Sequence, residues 1–188
     1  MSENLRNYVK AVYSFEHVLR SAKDTVYRRK APLPGWTGEN VYVHAMGNLK
    51  MIDSFAATGH GPKTVPKLGK DPLRAWEKLR DQTLETLDEP GVLQRIANEP
   101  FGPEFGSVPM DTLVGFMAAE LAVHVWDMAR TAKVDERLDP ALVKFTNVTW
   151  RSLGEEVLRG EGMFGPRVRS ERTADAQTKL LNFLGREV

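Results

Sequence analysis

Apolar positions recur along most of this chain at helical spacing, and the stretches between them are broken by proline and glycine. Leu5, Tyr8, Val12, Phe15 and Leu19 form a 3.6-residue stripe. They predict a first helix over 3–21, capped by Ser2 or Asn4. His17 lies beside Glu16 and off the stripe, so it reads as a surface residue. The connector YRRKAPLPGW follows, and Pro32, Pro34 and Gly35 exclude regular structure there. Thr37 is a good N-cap for a second helix that runs to Thr58 and stops at Gly59. Val41, Met51, Ile52 and Phe55 form its apolar face, and His44 and Asn48 are expected on that inward face, one turn apart.

His60 falls in a Gly/Pro/Lys loop and reads as solvated. Asp71-Pro72 starts a third helix carrying Leu73, Trp76, Leu79, Thr83 and Leu87 to the turn at 88–91. Residues 92–109 are rich in proline and glycine and predict irregular chain. Phe101 and Phe105 there either pin the loop to the helices or cover a pocket. A fourth helix covers 113–130, LVGFMAAELAVHVWDMAR. Asp139-Pro140 begins a fifth, closed by Gly160. The loop GEGMFGPRVRSER follows; its Arg167 and Arg169 either bind an anionic group or are simply solvated. Thr173 is expected to cap a short last helix ended by Gly185. No run of residues reads as a strand. The pattern predicts an all-α protein, four long helices around one core with an additional C-terminal helix.

The fourth helix carries the candidate chemistry. Only Glu120 and His124 interrupt its apolar run before Asp127 and Arg130. Four residues apart, they stack on one helix face about 6 Å apart. A buried carboxylate is unfavourable by several kcal/mol unless a partner or a metal compensates it. Glu120 and His124 are therefore either a hydrogen-bonded pair or two metal ligands, and His44 on the second helix is the candidate third ligand.

Composition narrows the chemistry further. The chain has 188 residues, enough for one domain with a sizeable core. Its net charge of +1 gives no reason to expect nucleic acid or an anionic membrane as partner. The N-terminus MSENLRNYVK is not a signal peptide, and no apolar run is expected to span a membrane, so a cytoplasmic location is the default. With no cysteine, any metal site must use His, Asp and Glu. Two imidazoles and one carboxylate are the ligand set of a catalytic zinc, which keeps a position open; Ni²⁺, Mn²⁺ and Fe²⁺ also accept such donors. Asp127, one turn past His124, is the candidate orienting group or general base. Trp126 and Asn48 either line the pocket or pack.

The segments PGWTGENVYVH, ELAVHVWDMART, LDPALV, MFGP and LLNFLGRE resemble the DinB/YfiT-like superfamily across nearly the whole chain. Within it they are similar to actinobacterial metal-binding proteins related to the N-terminal domain of mycothiol-dependent maleylpyruvate isomerase. The resemblance implies a DinB-like four-helix bundle that holds a divalent metal through His44, Glu120 and His124. Some of these relatives use a low-molecular-weight thiol, mycothiol or bacillithiol, as co-substrate, and homodimers are common among them. The function implied is a metal-dependent thiol S-transferase, or an isomerase of similar design, with a metal-bound thiolate attacking a small electrophile. A metal-dependent hydrolase and a non-catalytic metal-binding bundle, a sensor or stress-response protein, are the alternatives.

Two departures stand out. Leu33 replaces a cysteine that relatives commonly carry two residues before the GW, and Lys133 replaces a glycine after the ART segment. A left-handed helix cap at Lys133 is expected to be unfavourable by roughly 1 kcal/mol. The second domain of the isomerase, with its catalytic groups, has no counterpart in this sequence, which counts against isomerase activity itself.

Overall fold

The computed structural model describes residues 1–160 and 163–188. Among these the chain is mostly helical, 62% helix against 3% strand. The α-helices are α1 (Glu3–Ser21), α2 (Gly38–Thr58), α3 (Pro72–Asp88), α4 (Met110–Ala132), α5 (Pro140–Ser152), α6 (Gly154–Arg159) and α7 (Ala176–Phe183). Short 3₁₀ turns occupy Asp24–Arg28 and Val92–Gln94.

α4 is the axis of the fold. It packs most extensively on α1, and also on α2 and α5; α3 closes the far side against α2 and α1. Leu113, Val114, Ala118, Leu121, Ala122, Val125, Trp126 and Met128 are all buried on it. An apolar surface of that extent, facing every neighbour, makes α4 the element whose burial stabilises the fold most. By length and composition α4 is also apolar enough to cross a membrane, contrary to the expectation that no run reaches that length. The reason is its central place: 83% of the relevant window is buried inside the protein.

The ends of the helices follow local chemistry. Ser2, not Asn4, caps α1, its Oγ accepting from the Leu5 N–H. Asn4 instead donates to the Asp111 carboxylate and carbonyl, tying the start of α1 to the start of α4. At α2, Asn40 Oδ1 accepts from the Thr37 N–H at 2.8 Å. Gly38 is dictated by packing, since a Cβ there would lie 2.3 Å from the Val26 carbonyl oxygen. That close approach lays the 24–28 turn against the start of α2 and fixes where the helix begins.

Several boundaries differ from the sequence pattern. The loop before α4 contains a two-residue antiparallel pair, Ile96–Ala97 with Val108–Pro109, and Lys30 bridges Thr37. Such short pairings carry no alternating apolar signature to read. The fifth helix does not run unbroken to Gly160. It ends at Ser152, and Gly154, at φ +77°, turns the chain into α6. Asp175, not Thr173, caps α7, accepting from the Thr178 N–H. Phe101 packs edge-on to Phe116 at 5.5 Å and so pins its loop to α4, whereas Phe105 is exposed. Arg167 and Arg169 are both exposed.

Lys133 does adopt the left-handed conformation, at φ 61° and ψ 44°, and closes α4 with the Val134 N–H returning to the Ala129 carbonyl. Glycine at this position avoids the Cβ clash. Lys133→Gly is therefore expected to raise the unfolding free energy by roughly 1 kcal/mol, less the greater freedom of glycine in the unfolded chain. Urea denaturation measures this; a destabilised variant would show that the lysine side chain carries a compensating contact.

Candidate metal centre

The capped start of α2 places His44 in its second turn, and the continuous burial of α4 holds Glu120 and His124 one turn apart opposite it. The three side chains converge, their candidate ligand atoms all lying within 4.8 Å of one another. Donors around one Zn²⁺ stand roughly 3–3.5 Å apart, since each bond is about 2.0–2.2 Å. Two imidazoles and a single carboxylate form a donor set that could hold a divalent cation.

His44 Nε2 lies 2.7 Å from Glu120 Oε1. An ionised carboxylate only accepts, so the imidazole nitrogen donates. His124 Nδ1 lies 3.0 Å from Asp127 Oδ2 and donates for the same reason. With Nδ1 facing Asp127, Nε2 is the His124 nitrogen left to face a cation, and it makes no hydrogen bond among the described residues.

Behind His124 stands a second layer. Asp127 is fully buried and is gripped by Arg186, whose Nη2 donates to Oδ2 at 3.0 Å and Nε to Oδ1 at 3.3 Å. Arg186 also donates to the Leu184 carbonyl. Behind Glu120 stands Asn48, whose Nδ2 donates to Oε2 at 2.7 Å. Trp36, at the end of the connector, flanks both imidazoles: its ring is 5.4 Å from that of His44 and parallel to that of His124 at 6.1 Å.

Exposure grades across the site. The side chain of His44 is 44% exposed and that of Glu120 22%, against 7% for His124 and none for Asp127. His44 is therefore not on a buried face as the sequence suggested. The buried stripe of α2 runs through Val41, Ala45, Leu49 and Ile52, and His44 stands at its edge, at the mouth of the site. A concavity of about 690 Å³ lies elsewhere, in an open crevice between α1, α4 and α5. It contains none of these ligands, and the convergence of donors is the stronger indication of function. Trp126 is fully buried, with Arg130 over its ring.

The charges are mutually adjusted. Burial pushes the Glu120 carboxyl up, but the hydrogen bond and charge of His44, with His124 and Asn48, outweigh it and hold the group at about 2. The hydrogen bond to Glu120 raises His44 above its ordinary value against an opposing effect of burial. Burial also opposes ionisation of Asp127, yet the Arg186 charge and the His124 bond lower its pKa. Glu120 therefore contributes stability that is fully present above about 4.5 and is lost as pH falls through about 2. A cation at this site must displace the proton that His44 shares with Glu120. Metal affinity is accordingly expected to weaken on acidification by about tenfold per pH unit below the raised His44 value. Titration of metal affinity between pH 5 and 8 reads this slope; a flat profile would remove His44 from the ligand set.

Compared with known proteins, the chain matches no family model, no curated protein and no solved structure. Arg186 and Trp36 were not singled out by the sequence. Arg186 lies 59 positions from its partner, and no local spacing connects the two. Trp36 was visible only as part of the GWT segment preceding the second helix.

Proposed function

We propose that this is a metal-dependent protein of DinB-like, four-helix-bundle kind that transfers a low-molecular-weight thiol to a small electrophile. The observation that carries the reading is the convergence of His44, Glu120 and His124, backed by the buried Asp127–Arg186 pair. His44, Glu120 and His124 would hold the cation, with Zn²⁺ favoured by the two imidazoles and Ni²⁺, Mn²⁺ or Fe²⁺ as alternatives. A divalent ion there supplies Lewis acidity, which lowers the pKa of a thiol or water that it binds.

The protein's own residues do the rest. Asp127 orients His124 and keeps its proton on Nδ1. Asn48 holds Glu120, and Trp36 screens both imidazoles from one side. The chain offers no cysteine, so a sulfur nucleophile has to be brought in by the co-substrate. Hydrolysis is the rival. It needs a base within reach of the attacking water, and Asp127 is fully buried with both oxygens engaged. That geometry favours thiol transfer over hydrolysis. The exposed side at His44 gives a small molecule its approach.

The test is conjugation of chlorodinitrobenzene or a bimane by mycothiol or bacillithiol, with and without chelator. Chelator-sensitive conjugation is expected. Chelator-sensitive ester hydrolysis without conjugation would put the hydrolase first, and neither activity would favour a binding protein.

A further inference from the structure

Asn48 lies one turn after His44 on α2 and is almost completely buried. Its Nδ2 donates twice, to Glu120 Oε2 at 2.7 Å and to the Met117 carbonyl at 2.9 Å. Both partners are pure acceptors, so the orientation of the amide is fixed: its nitrogen faces Glu120. Its own Oδ1 is buried and meets no donor among the described residues. An asparagine that served only to fill the core would be expected to satisfy its carbonyl as well. Position 48 instead uses its donors and leaves the acceptor unpaired, which points to the donors as what the position requires.

The two oxygens of Glu120 thereby have distinct roles. Oε1 faces His44 Nε2 at 2.7 Å, and Oε2 is tied to Asn48. A cation bound among His44, Glu120 and His124 takes the place of the proton between His44 and Oε1. The bond from Asn48 to Oε2 lies outside that exchange. A carboxylate binds divalent ions through one oxygen or two, and each oxygen added uses a further coordination position.

We propose that Asn48 is a positioning residue that restricts Glu120 to ligation through Oε1 and so keeps the remaining coordination positions free for an exogenous ligand. This rests on the reading that the three residues hold a divalent ion. The site is exposed at His44, whereas His124 and Asp127 close its opposite side.

Cobalt(II) tests this without reference to turnover. The intensity of its visible absorption falls as its coordination number rises. The unaltered protein, Asn48→Ala and Asn48→Leu are loaded with cobalt, and the spectrum per bound ion and the dissociation constant are measured. Thermal unfolding establishes that each variant is folded, and leucine keeps the branched shape of the side chain if alanine loosens the core. In the variants Oε2 is released to the metal, so the absorption per bound ion should weaken, and loss of the bond that orients Glu120 should raise the dissociation constant about 10–100-fold. Folded variants with an unchanged spectrum and unchanged affinity would overturn the proposal. If neither variant folds, Asn48 is a packing residue and the proposal falls. If the unaltered protein binds no cobalt, the metal reading itself fails, a result distinct from the other two.

Discussion

Replacing Arg186 by methionine is expected to lower the unfolding free energy by about 3–5 kcal/mol, because it strands a buried carboxylate. Asp127 has no exposed surface, and both its oxygens are held by the Arg186 guanidinium. Its pKa is lowered despite burial, so it is ionised at neutral pH and becomes a buried charge once the arginine is gone. The double variant Asp127→Asn, Arg186→Met should recover part of the loss, since neither side chain is then charged. Urea denaturation at pH 7 measures all three proteins. A loss below about 1 kcal/mol in the single variant would mean that the pair is not a clamp. Asp127→Asn should separately weaken metal binding about 10–100-fold, because the amide no longer enforces the Nδ1–H tautomer of His124.

The other large effect concerns the ligands themselves. Substituting His44, Glu120 or His124 by alanine should weaken metal binding by more than about 100-fold in each case, beyond what outer residues contribute. The His44 and Glu120 variants should keep the fold, since those side chains are partly exposed, whereas His124 is buried and its replacement also takes a donor from Asp127, so thermal unfolding accompanies that variant. Glu120→Ala also removes the hydrogen-bond partner of His44, whose pKa should fall back toward its ordinary value. Calorimetric titration with Zn²⁺ reads the affinities, and NMR titration of the imidazole reads the pKa. A variant that retains full stoichiometry and affinity would be excluded from the ligand set.

The long elements were legible in the sequence because each carries its own signal. α1 has an amphipathic stripe, α3 has Asp71-Pro72 at its start, and α4 has an apolar run that admits only burial. What failed was information held by distant contacts. The break at Gly154 looks in sequence like one tolerated glycine within a helix, and only its positive φ reveals a turn. The short pairing of 96–97 with 108–109 has too few residues for any period. The candidate ligands were visible as polar residues at helical spacing, but the exposure of His44 depends on which neighbours flank α2. Arg186 reaches Asp127 only through the tertiary placement of the tail beyond α7.

In the proposed reading His44, Glu120 and His124 hold a divalent ion. The most direct test is the metal content of the protein prepared without a histidine tag, incubated with Zn²⁺, Ni²⁺, Mn²⁺ or Fe²⁺ and then dialysed. One bound ion per chain is expected, removable by chelator, with a fall in the thermal midpoint on removal because the ion binds only the folded state. Metal content at background with every ion, and a midpoint indifferent to chelator, would contradict the account and leave the three residues as a hydrogen-bond network.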